Sequence, residues 1–115
     1  MERRFRLTQE SDFKRVRHEG KSYAHPLLVL ISASGGHGSL RVGITAGKAV
    51  GGAVARNRCK RFLREALREF LPHVESGWDI MLIARAPLAK ATLSQTRDAL
   101  SQTLIRAKLM KELYG

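Results

Sequence analysis

The 115-residue sequence predicts a small α+β sandwich, with helices laid against one sheet. Three observations carry this. The periodic segments run in the order helix, strands, helix, strand, helix. The apolar fraction, 43 %, suffices for one core and is too high for a disordered basic tail. No repeat, low-complexity run or Pro/Ser-rich linker divides the chain, so residues 1–115 read as a single domain.

Each element has a local reason. Thr8 and Ser11 are N-cap candidates ahead of a short helix over residues 12–17, with Phe13 and Val16 on related faces and Gly20 as its stop. Residues 21–24 form a brief strand, broken before Pro26. The apolar run 27–31 has strand length, and residues 34–38 are turn chemistry. Residues 40–45 alternate with period two, which predicts a hairpin with the preceding strand and one wet face. A glycine-rich link, residues 47–52, opens a long helix over 53–71 that stops near Pro72. Residues 78–84 read as a buried strand ended by Pro87. Leu93, Ala99, Leu100, Leu104, Ala107 and Leu113 then fall at helical spacing behind a cap at Thr92 or Ser94.

The charge is lopsided: 21 Lys and Arg against 10 Asp and Glu give +11. After Glu19 no acid occurs until Glu65, while Lys21, Arg41, Lys48, Arg56, Arg58, Lys60, Arg61 and Arg64 lie between. Such a patch attracts a polyanion, either nucleic acid or an anionic membrane surface; charge kept only for solubility is the bland alternative. No stretch approaches the roughly 20 apolar residues of a membrane span. Met1-Glu2-Arg3-Arg4-Phe5 lacks the apolar core of a signal peptide, and a single cysteine, Cys59, fits a reducing compartment. The expectation is a cytoplasmic protein.

The long central helix is the informative element. At about 100° per residue, Arg56, Lys60, Arg64, Asn57, Arg68, Arg61 and Arg58 spread over one broad arc. Phe62, Ala55, Ala66, Cys59, Phe70, Leu63 and Leu67 fill the other. The ladder Arg56, Lys60, Arg64, Arg68 sets like charges four apart, each pair costing a few tenths of a kcal/mol in a free helix. An anionic partner removes that repulsion. Arginine predominates, which favours phosphate, because the guanidinium fork binds it bidentately. A solvated charged face and a membrane-surface or calmodulin-type helix are the competing readings. No nuclease constellation appears: His18, His25, His37 and His73 are scattered, and carboxylates do not cluster in the basic middle. Gly47-Lys48 lacks the rest of a phosphate loop, and Cys59 sits on the apolar arc as a core residue. No catalytic residue, metal ligand or bound cofactor is therefore expected in the protein itself.

Arg56-Asn57-Arg58-Cys59-Lys60-Arg61-Phe62-Leu63-Arg64-Glu65, behind Arg41-Val42-Gly43-Ile44 and Lys48-Ala49-Val50-Gly51-Gly52-Ala53-Val54, closely resembles the protein subunit of bacterial ribonuclease P. The resemblance extends through Asp12-Phe13, Gly20, Asp79-Ile80 and Arg85-Ala86-Pro87, nearly the whole chain. It implies an αβββαβα sandwich with a left-handed βαβ crossover, similar to the second domain of a small-subunit ribosomal protein. It also implies a ribonucleoprotein endonuclease that removes the 5′ leader of precursor tRNA. The RNA subunit performs the hydrolysis, with Mg²⁺ held mainly by RNA, and the protein assists and broadens substrate range. By match, Arg56, Asn57, Arg58, Lys60, Arg61, Arg64, Arg68 and Lys48 contact the catalytic RNA. A cleft between the first helix and the sheet takes the leader, with Phe13 stacking on an unpaired base. Relatives often carry an aromatic where this chain has Arg17, and one on the next strand where it has Leu28 and Ile31; the cleft then binds more by charge than by stacking. The competing class is a general RNA-binding or ribosomal protein of the same fold.

Overall fold

The computed structural model describes residues 6–35 and 38–111. Its elements run α1 (Glu10–Glu19), β1 (Lys21–Ala24), β2 (Leu28–Ser34), β3 (Arg41–Ala46), α2 (Ala53–Phe70), β4 (Trp78–Ala84) and α3 (Leu93–Arg106). They form one four-stranded mixed sheet in the order β1-β2-β4-β3. β2 pairs antiparallel with both β1 and β4, while β3 runs parallel to β4, so α2 is the crossover between them.

This order overturns the expected hairpin of β2 with β3: β4 lies between them. Its sequence, Trp78-Asp79-Ile80-Met81-Leu82-Ile83-Ala84, is buried along nearly its whole length, so both faces and both edges need cover. β3 opens on a half-exposed arginine and suits an edge. Just after β2 the Gly35 amide donates to the Gly77 carbonyl at 2.9 Å, immediately before β4.

Period-two alternation divides the core. Leu28, Leu30, Ile80 and Leu82 face α2 and α3 and pack with Cys59, Leu63, Leu67, Leu100 and Leu104. The intervening Ile31, Ala33 and Met81 meet Leu7 and Val16, with Phe13 packed beside them under α1. Register matches this, with Leu30 opposite Leu82 and Ile31 opposite Met81. Thus α1 covers one face of the sheet and α2 with α3 the other. The face of β3 expected to be wet, Gly43 and Thr45, lies beneath α1 and forms part of a groove.

The helix ends differ in part from expectation. The N-cap of α1 is Gln9, with no side-chain cap, in place of Thr8 or Ser11; Glu10 and Asp12 in the first turn complement the helix dipole instead. Gly20 is required by close approach, since a Cβ there would lie 2.4 Å from the Val16 carbonyl oxygen. α3 begins with a capping box: Thr92 accepts from the Gln95 amide, and the Gln95 side chain accepts from the Thr92 amide. It ends at Arg106, because Lys108 takes a left-handed φ of 58° and turns the chain back. The helical spacing was expected to reach Leu113, which lies outside the described residues.

Candidate nucleic-acid interface

Two glycines set the start of α2. Val50 anchors a 3-10 turn, Lys48–Val50, in the core, and Gly51 reverses the chain at φ 136°, a backbone region that disfavours side chains. The helix then buries Cys59, Leu63, Ala66 and Leu67, the arc expected from periodicity. Asn57 and Arg61 on the opposite arc are exposed, and Arg56, Lys60 and Arg64 are half-exposed. Among the described residues, none of these four cations is ion-paired with a carboxylate. Lys48 is exposed on the preceding turn. Val54, 85 % exposed, stands within the cationic arc, an apolar contact point that the charge pattern did not reveal.

Two members of the expected face are engaged within the protein. Arg58 donates to the Ala89 carbonyl at 2.7 Å and the Ala91 carbonyl at 2.8 Å, with its guanidinium carbon 4.3 Å from the Phe62 ring centroid. It thereby fastens the 3-10 turn Ala86–Lys90 to α2. Arg68 lies 3.5 Å from Glu65, one helical turn away, on the surface. Cys59 is fully buried beneath this face, and burial raises its thiol pKa against the opposing charge of Arg58. It packs as a core residue.

A groove of about 330 Å³ separates α1 from the sheet. Glu10, Phe13, Lys14 and Arg17 form its helical wall, with Gly43, Ile44, Thr45 and Met81 opposite. Phe13 and Arg17 therefore line one groove; Lys14 and Glu10 join them, at the same spacing of four. Phe13 is half-buried, with one side in the small core and the other on the groove. Its ring rests on Gly43, where a Cβ would approach Phe13 Cε1 to 2.6 Å. Core packing and groove lining are both true of this residue.

The far side of α1 carries a charge cluster that the sequence reading missed. Asp79 is 0 % exposed and receives Arg41 Nε at 3.0 Å and Nη2 at 2.9 Å, a bidentate pair. Arg15 of α1 also donates to Asp79, and to the Ser34 carbonyl at 3.0 Å, while Arg41 reaches Asp12 at 3.4 Å. Burial alone would raise the Asp79 carboxyl; hydrogen bonds and charge from Arg41 and Arg15 outweigh it and hold the pKa below its ordinary value. Asp79 correspondingly raises Arg41. The only sequence signal was an acid inside an apolar strand run, which demands a buried cation. Both Asp12 and Asp79 are thus committed to arginines, and no three His, Cys, Asp or Glu side chains group for a metal ion among the described residues. No helix among them is long and apolar enough to cross a membrane.

The geometry has close counterparts among known proteins. A family model described as Ribonuclease P matches residues 1–108. The chain is 42 % identical over 109 residues to the ribonuclease P protein component of Herpetosiphon aurantiacus, covering 95 % of this chain and 89 % of that one. Against the same component of Chloroflexus aurantiacus it is 38 % identical over 111 residues, covering 96 % and 82 %. The solved RNase P protein of Staphylococcus aureus superposes with a TM-score of 0.85 at 31 % identity, covering 93 % and 98 % of the two chains. That of Thermotoga maritima, in complex with 1-(4-fluorophenyl)-2-thiourea, gives 0.80 at 30 % identity, covering 88 % and 98 %. The chain belongs to the bacterial ribonuclease P protein-component family and is the protein subunit of that tRNA-processing ribonucleoprotein.

Proposed function

We propose that the subunit holds two RNAs on opposite faces of its sheet. The exposed arc of α2, with Lys48, takes the backbone of the catalytic RNA, and the groove under α1 takes the single-stranded 5′ leader of precursor tRNA. The carrying observation is the set Arg56, Lys60, Arg61 and Arg64, presented on one helix face without carboxylate partners among the described residues. Like charges held so close favour a polyanion that neutralises them, and guanidinium forks match phosphate. In the groove, Phe13 offers an aromatic surface for an unpaired base, while Lys14 and Arg17 supply charge.

The chemistry belongs to the RNA in this reading. The carboxylates that converge in the protein are locked to Arg15 and Arg41, so the described residues do not fit a resident Mg²⁺ site. Any Mg²⁺ of the holoenzyme is then held by RNA phosphates, and the assembly works in the cytoplasm.

Replacing Arg56, Lys60 and Arg64 together by alanine tests the α2 face. The fold should survive, because none of the three is fully buried. Affinity for the catalytic RNA should fall, and each lost phosphate contact should reduce the slope of log affinity against log salt by about 0.7–0.9. An unchanged slope in a protein that melts normally would reduce this face to a solvated one.

A further inference from the structure

The edge of the molecule where β1 turns into β2 carries a second, unassigned cationic site. Arg85, just beyond β4, donates to the His25 carbonyl at 3.2 Å, and Arg106, at the end of α3, donates to the Ala24 carbonyl at 2.6 Å. Two guanidinium groups from elements 21 residues apart in sequence thus end on successive carbonyls of one short segment. Both side chains belong to exposed residues, and among the described residues neither is ion-paired with a carboxylate. That sets them apart from Arg15, Arg41, Arg68 and Arg97, each of which has an acid partner.

A guanidinium carries five N–H donors, and one contact to a carbonyl leaves most of them free. Two guanidinium groups ending on successive carbonyls of one segment attract an anion to it. His25, whose carbonyl Arg85 meets, also lines an open groove of about 310 Å³ with Leu27, Pro87, Lys90 and Gln102. His25 Nδ1 accepts from the Leu27 amide at 3.0 Å, so the neutral ring carries its proton on Nε2 as a further donor. Asp98 is the acid of that wall, and it pairs with neither arginine.

We propose that Arg85 and Arg106 bind phosphodiesters of the catalytic RNA, at a contact separate from the α2 face. Continuity selects this RNA over the substrate. Arg106 ends α3, which packs with α2 on one face of the sheet, and the turn Ala86–Lys90, which carries Lys90 into the groove, is the segment that Arg58 fastens to α2. The leader groove is on the opposite face of the sheet. The proposal rests on the reading that α2 faces the catalytic RNA.

The test compares Arg85→Gln/Arg106→Gln with Arg85→Lys/Arg106→Lys. Glutamine removes the charges and, being two atoms shorter, also the contacts made through Nη1; lysine is nearer the arginine length and keeps the charges. Binding to the isolated ribonuclease P RNA is measured across a salt series, and binding to precursor tRNA with a long leader is measured beside it. The glutamine pair should lower the salt slope for the catalytic RNA by about 1.4–1.8, two contacts' worth, while the lysine pair retains it. Leader-dependent binding should not change. Wild-type slope in the glutamine pair overturns the proposal, and a loss confined to precursor tRNA overturns its choice of RNA. A slope lowered equally in the lysine pair also overturns it, because charge at these positions would then not be what holds the RNA. The Arg56/Lys60/Arg64 alanine protein, run in parallel, reports separately on the α2 reading.

Discussion

Replacing Asp79 by asparagine should unfasten α1 and with it the groove beneath it. In the native protein one fully buried carboxylate accepts from Arg41 through two nitrogens and from Arg15. Breaking a buried pair by neutralising one partner costs about 3–5 kcal/mol when the other charge is trapped. Here the arginine side chains are 28 % and 26 % exposed and can turn toward water, so the lower end applies. A loss of about 3 kcal/mol corresponds to a melting temperature lower by about 12 °C in a domain of this size. The pH dependence supplies a sharper check. Because the folded carboxyl titrates below its ordinary value of 3.8, its contribution is complete at pH values above that and is lost as pH falls through the folded value. Thermal melts of both proteins from pH 7 downward should show the full gap near neutrality and a shrinking one below about pH 4. A gap that stays constant with pH, or no destabilisation at neutrality, would refute the assignment of Asp79 as the charged anchor of α1.

Three further outcomes follow from the geometry. Phe13→Ala should weaken binding of long-leader precursor tRNA by about 1–3 kcal/mol and leave assembly with the catalytic RNA intact. Melting measured alongside should fall modestly, because half of the ring is core; equal weakening for leaderless tRNA would remove the leader role. Arg58→Ala should lower melting more than Arg61→Ala, since it frees two carbonyls of residues 89 and 91, and a larger drop in RNA salt slope than in melting would make Arg58 a phosphate contact instead. Rigorously RNA-free protein should cleave no precursor tRNA at any Mg²⁺ concentration, as judged by end-labelled product; site-specific cleavage would return the chemistry to the protein.

Much was determined by the sequence alone. Periodicity placed α2 and β4 within a residue of their ends, because a 3.6-residue stripe and an apolar run are local properties of the chain. The Arg-Asn-Arg box with its preceding strand and loop carried the family, and the cationic arc followed from helix geometry. What the tertiary structure decided is which segments became neighbours. Backbone hydrogen bonds do not read side chains, so nothing in residues 27–45 could announce that β4 would enter between β2 and β3. The same holds for long side chains, whose heads reach many ångströms from their own helix. Arg58 lies on the cationic arc by angle yet ends on the carbonyls of residues 89 and 91, and Arg85 and Arg106 end on the carbonyls of residues 25 and 24 only because the sheet and α3 bring them there. Asp79 could be recognised as a buried acid from its strand, but only packing across 64 and 38 residues of chain supplied Arg15 and Arg41 to hold it.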